Sequence, residues 1–279
     1  EGRELTADIN YNKTEFVNGG DYRTDYFNEN GTTTGSKSIQ NSDGEGYTEI
    51  YSAQTDYIHP FNDKTKIETG WKANYRTFVT KTDNFLFNDS TAGFELIKNQ
   101  SSNYKYVDQV YAAYAVFSKQ VNKFSFQLGL RGESSFYLGE LVDSNQTFKN
   151  YFPAALFPSI ASTYDLNGKD NFQFSYSRKI NRPTFFQLIP FTNYSDSLNL
   201  IRGNAALKPE FTNSVEVSYL KVMNGKTNLL GSIWFRSTSD LITSYQLTEF
   251  DTVLNRLAVI STYQNARQGY SYGGELTFK

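Results

Sequence analysis

The sequence of 279 residues has no cysteine. Disulfide scaffolds, thiolate metal sites and cysteine nucleophiles are therefore excluded together. A single histidine, His59, leaves nothing from which to build a histidine-rich zinc or iron site. A single methionine, Met223, excludes the Met-rich surfaces of promiscuous helix binders. No window approaches the roughly 18 apolar residues of a transmembrane helix. No excess of basic charge exists either. With 27 basic against 29 acidic side chains the net charge is −2, whereas nucleic-acid binding normally shows as a basic patch or stripe. The chain opens on Glu1-Gly2-Arg3-Glu4, without a basic stretch leading into an apolar one, so it is expected to be a mature or excised segment.

What is present is aromatic. Tyr (21), Phe (23) and Trp (2) make up 16% of a chain that is only 38% hydrophobic. Their setting is a period of two. Ile67, Thr69, Trp71, Ala73 and Tyr75 fall on one face, and Glu68, Lys72, Asn74 and Arg76 on the other. Phe124, Phe126, Leu128 and Leu130 alternate with Ser125, Gln127, Gly129 and Arg131, and Phe172, Phe174 and Tyr176 with Gln173, Ser175 and Ser177. Such alternation reads as β-strand with one apolar and one polar face. Around 104–118 both faces are mixed, and the pattern assigns no apolar side there.

Strands are expected near 3–16, 46–59, 66–79, 104–118, 123–137, 156–166, 171–181, 212–222, 227–237 and 262–279. Four connections are short, at 60–65, 119–122, 167–170 and 223–226, and carry turn residues such as Asn167-Gly168 and Asn224-Gly225. Five others, 17–45, 80–103, 138–155, 182–211 and 238–261, are long and polar. Long and short alternate throughout. In an up-and-down sheet this places all tight turns at one end and all long loops at the other, the mark of an outer-membrane barrel. The strands also reach the ~9–11 residues that cross a bilayer. The fold class expected is therefore all-β, an antiparallel up-and-down transmembrane β-barrel with about ten strands here.

On that reading strand-end aromatics form interfacial girdles. The candidates are Tyr47, Tyr57, Tyr75, Phe78, Tyr104, Tyr106, Phe136, Tyr137, Tyr270 and Tyr272. Glu68, Lys72, Arg76, Arg131, Glu133 and Glu216 would face the lumen. Loop 182–211 is the longest mixed aromatic and polar connection, and ligand sites favour loops on a rigid scaffold. Arg182, Phe186, Tyr194, Asp196 and Arg202 are its candidate substrate contacts, with strand termination as the structural alternative for Arg182-Pro183. Gly203-Asn204 reads as a turn that tolerates positive φ. His59 with Asp56 would be the one acid–base pair on offer, but no serine lies in a G-x-S-x-G context. Asp21, Asp25 and Glu29 are spaced too widely for a calcium loop. No enzyme activity, metal or cofactor is expected.

Several segments in order carry a family likeness. They are His59-Pro60 with Ile67-Glu68-Thr69-Gly70, Val110-Tyr111-Ala112-Ala113-Tyr114 with Gly129-Leu130-Arg131-Gly132-Glu133, and Phe157-Pro158-Ser159. Phe174-Ser175-Tyr176-Ser177-Arg178-Lys179-Ile180-Asn181-Arg182-Pro183 follows, then Gly203-Asn204-Ala205-Ala206-Leu207-Lys208-Pro209-Glu210 and Tyr272-Gly273-Gly274-Glu275-Leu276. Over residues 46–279 the sequence resembles the Bacteroidetes outer-membrane β-barrel family of TonB-dependent receptors. The resemblance implies a barrel of about 22 strands around an N-terminal plug, located in the bacterial outer membrane and importing a nutrient: siderophore, cobalamin, glycan or peptide. It implies as partners outer-membrane lipid, TonB reached through the plug, and a surface lipoprotein, and no nucleic acid. No plug-like or TonB-box-like segment precedes residue 1, so residues 1–279 are expected to be a partial barrel within a longer receptor. A structural or adhesive barrel without transport, or an outer-membrane hydrolase, are the other readings.

Overall fold

A polar chain that alternates by residue satisfies its backbone only by pairing strand to strand, and this chain does so almost throughout. The computed structural model describes residues 2–98, 100–194, 199–223 and 227–279; Asp196 and residues 224–226 of the last expected short turn lie outside them. Ten long strands follow one another as up-and-down neighbours: β1 (Glu4–Phe27), β2 (Thr33–Asn62), β3 (Thr65–Asn88), β5 (Ser102–Val121), β6 (Phe124–Leu141), β7 (Gln146–Asp165), β8 (Asp170–Asn181), β11 (Glu210–Met223), β12 (Thr227–Asp251) and β13 (Arg256–Phe278). Short β4 (Gly93–Leu96) pairs with β3, and short β9 (Thr192–Asn193) and β10 (Leu200–Arg202) extend the sheet beyond β13. Consecutive long strands are antiparallel neighbours. Among the described residues the ladder runs from β1 to β9 without closing on itself.

The three expected short turns within the described residues, at 60–65, 119–122 and 167–170, sit where the sequence places them, and left-handed residues make two of them. Asn122 (φ 52°) turns β5 into β6, and Gly168 (φ 76°) turns β7 into β8. The long connections differ from expectation. Most are not loops but continuations of the hairpins: β1 and β2 stay paired from Glu4/Ile58 out to Phe27/Thr33, and β12 and β13 from Leu229/Phe278 out to Asp251/Arg256. Polar composition does not end a ladder, because main-chain hydrogen bonds do not depend on side-chain hydropathy. Among the described residues the long departures from the sheet are 182–191 and 203–209, on either side of short β9 and β10.

Register assigns every side chain to a face, since successive residues alternate. One face carries Ile9, Ala53, Trp71, Ala73, Ala113, Ala115, Phe117, Leu128, Leu130, Ile160, Phe174, Val217, Ile233 and Leu276. Most of its large members are solvent-exposed, as a surface meant for hydrocarbon would be. The other face carries all six predicted lumen charges, Glu68, Lys72, Arg76, Arg131, Glu133 and Glu216. The mixed strand resolves the same way: Val107, Gln109, Tyr111, Ala113, Ala115 and Phe117 share the apolar face, and Tyr106, Asp108, Val110, Ala112 and Tyr114 the polar one.

Aromatics bound the apolar face on both sides. Near the turn end Phe124, Tyr164, Phe172 and Tyr219 are register partners across four strands. Ring centroids lie 4.4 Å apart for Phe124–Tyr164 and 4.9 Å for Phe172–Tyr219. Towards the other end Tyr11, Tyr51, Tyr75, Gln109, Phe136 and Tyr151 form a second row. On β6 the rows are twelve residues apart, from Phe124 to Phe136. That is about 40 Å of strand, or roughly 30 Å along the membrane normal at a 40–45° tilt, close to the ~25 Å apolar band of such barrels. Tyr57, Tyr75, Phe136, Tyr270 and Tyr272 face outward as expected. Phe78, Tyr104, Tyr106 and Tyr137 do not: they lie on the polar face, packed with or against a buried cluster. Neighbours such as Phe136 and Tyr137 cannot share a face, so only one of each such pair belongs to a girdle.

Leu130 lies midway between the two rows. Leu130→Arg should cost about 2–4 kcal/mol in urea unfolding from phospholipid vesicles, whereas Gln127→Arg, on the polar face, should cost less than about 1 kcal/mol. Equal costs would contradict the face assignment.

Candidate functional site

The segment that leaves the sheet is the one sequence reasoning chose as ligand-facing. Pro183, which has no N–H to continue a ladder, follows the end of β8 and leads into one helical turn, α1 (Phe185–Leu188). Gln187 Oε1 accepts the Thr184 N–H at 2.8 Å and closes the start of the turn. Phe185 and Leu188 are buried in a cluster with Tyr106, Tyr137, Ile189 and Leu207 on the polar face of the sheet. Phe185 meets Tyr106 at 4.8 Å between ring centroids and Phe78 edge-on at 5.1 Å. Burial of this kind is worth about 1.5–3 kcal/mol per large apolar side chain.

The same segment is fixed on its other side to β12 and β13. Leu200 and Ile201 pair in parallel with Ile260 and Ser261. Leu200 is buried with Ala258 and Ile260. Arg202 reaches both oxygens of Glu249, at 2.7 and 3.1 Å, and the Tyr194 hydroxyl donates to Asp251 at 2.7 Å. Asn265 exchanges two hydrogen bonds with the backbone of Lys208, each 2.9 Å, and Asn150 donates to the Ala205 carbonyl at 2.8 Å. Gly203 is where the two halves touch. The Asn204 N–H donates to the Gln187 carbonyl at 2.7 Å, and a Cβ on Gly203 would stand 2.5 Å from the Ile189 carbonyl oxygen. The glycine is therefore required by close approach and not by a positive φ, and the turn expected at Gly203-Asn204 opens on Asn204, whose carbonyl accepts the Leu207 N–H at 3.2 Å. Residues 182–194 and 199–209 thus form a crossbar over the polar face, tying the β3–β7 wall to β12 and β13.

Charged groups converge beneath it. Arg182 donates through Nε to Ser135 Oγ at 3.1 Å and pairs through Nη2 with Glu133. Glu133 also accepts from Arg131 Nε at 2.5 Å. On the neighbouring strands Arg76 Nε donates to Asp108 Oδ2 at 2.6 Å. Between the crossbar and the β2–β6 wall lies a cleft of about 630 Å³, with Arg76, Phe78, Asp108, Arg182, Phe185 and Phe186 among its lining. Its size falls in the ~300–1,000 Å³ range of small-molecule sites. Among the described residues no three His, Cys, Asp or Glu side chains gather as metal ligands.

Of the residues predicted from sequence, Arg182 and Phe186 line this cleft. Phe186 is 63% exposed, although Phe185 beside it is 7% exposed. Tyr194 and Arg202 lie apart from it, in the anchor to β12. Asp196 lies outside the described residues. Arg76, Phe78 and Asp108 were not singled out as site residues; alternation alone places Arg76 on the polar face, but nothing local reveals which loop folds over it. Asp56 and His59 are three residues apart on β2 and so face opposite sides. Asp56 accepts from Tyr114 and Gln54, and His59 Nδ1 lies 3.1 Å from the Tyr57 hydroxyl. The acid–base pair is not assembled.

Comparison with known proteins adds to this geometry. The sequence pattern that defines the outer membrane protein beta-barrel family matches residues 1–279. No curated protein matches the chain in sequence. Among solved structures, the copper transporter OprC superposes with TM-score 0.63 at 12% identity, covering 98% of this chain and 40% of that one. The ferric-catecholate import receptor Fiu from K12 E. coli gives 0.56 at 13%, covering 99% and 45%. The ferric citrate transporter FecA in its unliganded form gives 0.54 at 11%, covering 99% and 42%. These likenesses concern the fold. The chain spans less than half the length of each of these structures.

The ionic anchor of the crossbar yields a pH test. Arg202 holds the Glu249 carboxyl below its ordinary range. Burial opposes ionisation of Asp251, but the backbone N–H groups of Leu254 and Val253 and the Tyr194 hydroxyl outweigh it and hold that carboxyl low as well. Groups with depressed folded values stabilise above the unfolded pKa of about 4 and lose that contribution as pH falls through the folded value. Amide exchange at Leu200 and Ile201, corrected for intrinsic rate, should therefore accelerate as pH falls below about 4 while the β5–β6 ladder stays protected. Unchanged protection at both amides would count against the anchor.

Proposed function

This chain belongs to the outer membrane protein beta-barrel family, and from that membership we propose that it is part of the wall of a TonB-dependent receptor, of the Bacteroidetes kind its motifs resemble, importing a nutrient across the bacterial outer membrane. The observation that carries this reading is the inverted distribution of polarity. The face toward lipid is apolar and bounded by two aromatic rows, while the opposite face holds paired charges and a crossbar. A charged interior serves passage or docking rather than stability, because buried ion pairs are poor sources of stability.

Among the described residues β1 pairs only with β2, and β13 beyond Ser261 only with β12. Unpaired strand edges template aggregation. Further strands of the same receptor would satisfy them, which supports reading residues 1–279 as a partial barrel. Import further calls for a plug and for TonB acting through it, and a surface lipoprotein is a fitting partner at the long-hairpin end. Chemistry is not assigned: Asp56 and His59 are separated, and cargo would be moved, not transformed.

Deleting the gene and complementing with the full-length receptor tests the reading. Growth on one limiting nutrient should fall at least about tenfold, be restored by the receptor, and be lost equally when TonB is inactivated. Unimpaired growth across iron, copper, cobalamin, glycan and peptide sources, with loss of surface attachment instead, would favour a structural or adhesive barrel.

A further inference from the structure

The cleft beneath the crossbar has a composition that selects among ligands. The carboxylates at hand are already engaged: Asp108, which lines the cleft, by Arg76, and Glu133, which lies outside the lining, by Arg131 and Arg182. They offer no site for a free cation. The two guanidiniums that line the cleft are not exhausted. Arg76 uses Nε and Nη2, and Arg182 uses Nε and Nη2. Among the described residues Nη1 of each has no partner. Arg76 is also far more exposed than the carboxylate it pairs with, 45% against 9% for the side chains, so the cleft presents the cationic end of that pair.

The apolar side is equally specific. Phe78 meets Phe185 and Phe186 edge-on, at 5.1 and 6.2 Å between centroids. Phe186 stays 63% exposed, since the helical turn sends Phe185 into the wall and leaves most of the Phe186 ring facing the cleft. Aromatic rings in such a setting receive a flat apolar body by offset or edge contact, and a guanidinium with an unused N–H edge receives a carboxylate, sulfonate or phosphate oxygen.

We infer that this cleft is a binding subsite for a small organic anion with a planar apolar body, the acid group on Arg76 and Arg182 and the flat body against Phe78 and Phe186. A neutral carbohydrate would leave both guanidinium edges unpaired, and an inorganic anion would leave the aromatic wall unused. This rests on the import reading only for its biological use. Binding itself needs neither TonB nor an energised membrane.

The test is equilibrium binding of 2-naphthoate to the purified full-length receptor in detergent, beside its neutral analogue 2-naphthylmethanol and beside acetate. Naphthoate should bind saturably, about tenfold or more tightly than naphthylmethanol (a difference of roughly 1.4 kcal/mol), and acetate should bind weakest. Arg76→Gln alone would strand Asp108, so the double change Arg76→Gln/Asp108→Asn is used. It should cut the preference for naphthoate over naphthylmethanol several-fold, Arg182 remaining, and an unchanged preference would overturn the role of Arg76. Phe186→Ala, at an exposed position, should weaken both aromatic probes several-fold. Heat-modifiable gel migration confirms that each variant is folded, and for a double variant that fails this check Arg76→Lys replaces it, with the preference expected to shrink. Equal binding of naphthoate and naphthylmethanol to the wild type, no saturable naphthoate binding, or naphthoate binding unchanged in Phe186→Ala would each overturn the proposal. Because no transport is measured, such a result leaves the import reading standing, and a failed uptake experiment leaves this one standing.

Discussion

A backbone in hydrocarbon has no water to bond with, and each unpaired N–H or C=O there costs several kcal/mol. The rest of this structure follows from that constraint. It forces the chain into one continuous antiparallel ladder, and the ladder fixes register. Register in turn decides, residue by residue, which side chain meets lipid and which meets the interior. A slip of one residue would send Leu128 and Leu130 inward and Arg131 and Glu133 into the membrane. The hydrophobic pattern and the hairpin turns thus enforce the same alignment from two directions.

The crossbar is the second consequence. With its apolar face given to lipid, the sheet has little of its own to pack, and the buried apolar clusters gather instead where residues 182–194 and 199–209 lie against the polar face. Leu188, Leu207, Tyr106 and Tyr137 on one side and Leu200 and Ile260 on the other act as two small cores, joined through the close approach at Gly203. Side-chain-to-backbone hydrogen bonds from Asn150, Asn204 and Asn265 add to them. This is a fixed strut rather than a free loop, and it leaves a walled cleft beside it instead of an open funnel.

Much of this was legible in the sequence, for identifiable reasons. The ten long strands and the two ends of the sheet could be read because side-chain alternation and turn residues are local signals. The six interior charges could be assigned because parity is arithmetic. What could not be read was anything that depends on two distant segments meeting. Tyr106 and Tyr137 look like girdle residues until register puts them under the crossbar. The polar tract 238–261 looks like a loop until its two halves pair as β12 and β13. The strand at 104–118 stayed ambiguous because Tyr106, Val107, Tyr111 and Phe117 are similarly amphipathic, so only its neighbours in the ladder decide. Of the candidate contacts, the position of Arg182 at the strand exit was visible, but its pairing with Glu133, 49 residues away, was not.

The central claim is that one face of this ladder meets lipid and the other a polar interior, in a phase fixed by register. Spin labels placed one at a time on positions 125–135 of β6 in the protein, reconstituted in phospholipid, test it most directly. Accessibility to lipid-dissolved oxygen should peak at even positions, through Phe126, Leu128 and Leu130, and fall at odd ones, through Gln127, Gly129 and Arg131. A profile without a period of two, or one with the opposite phase, would contradict the account.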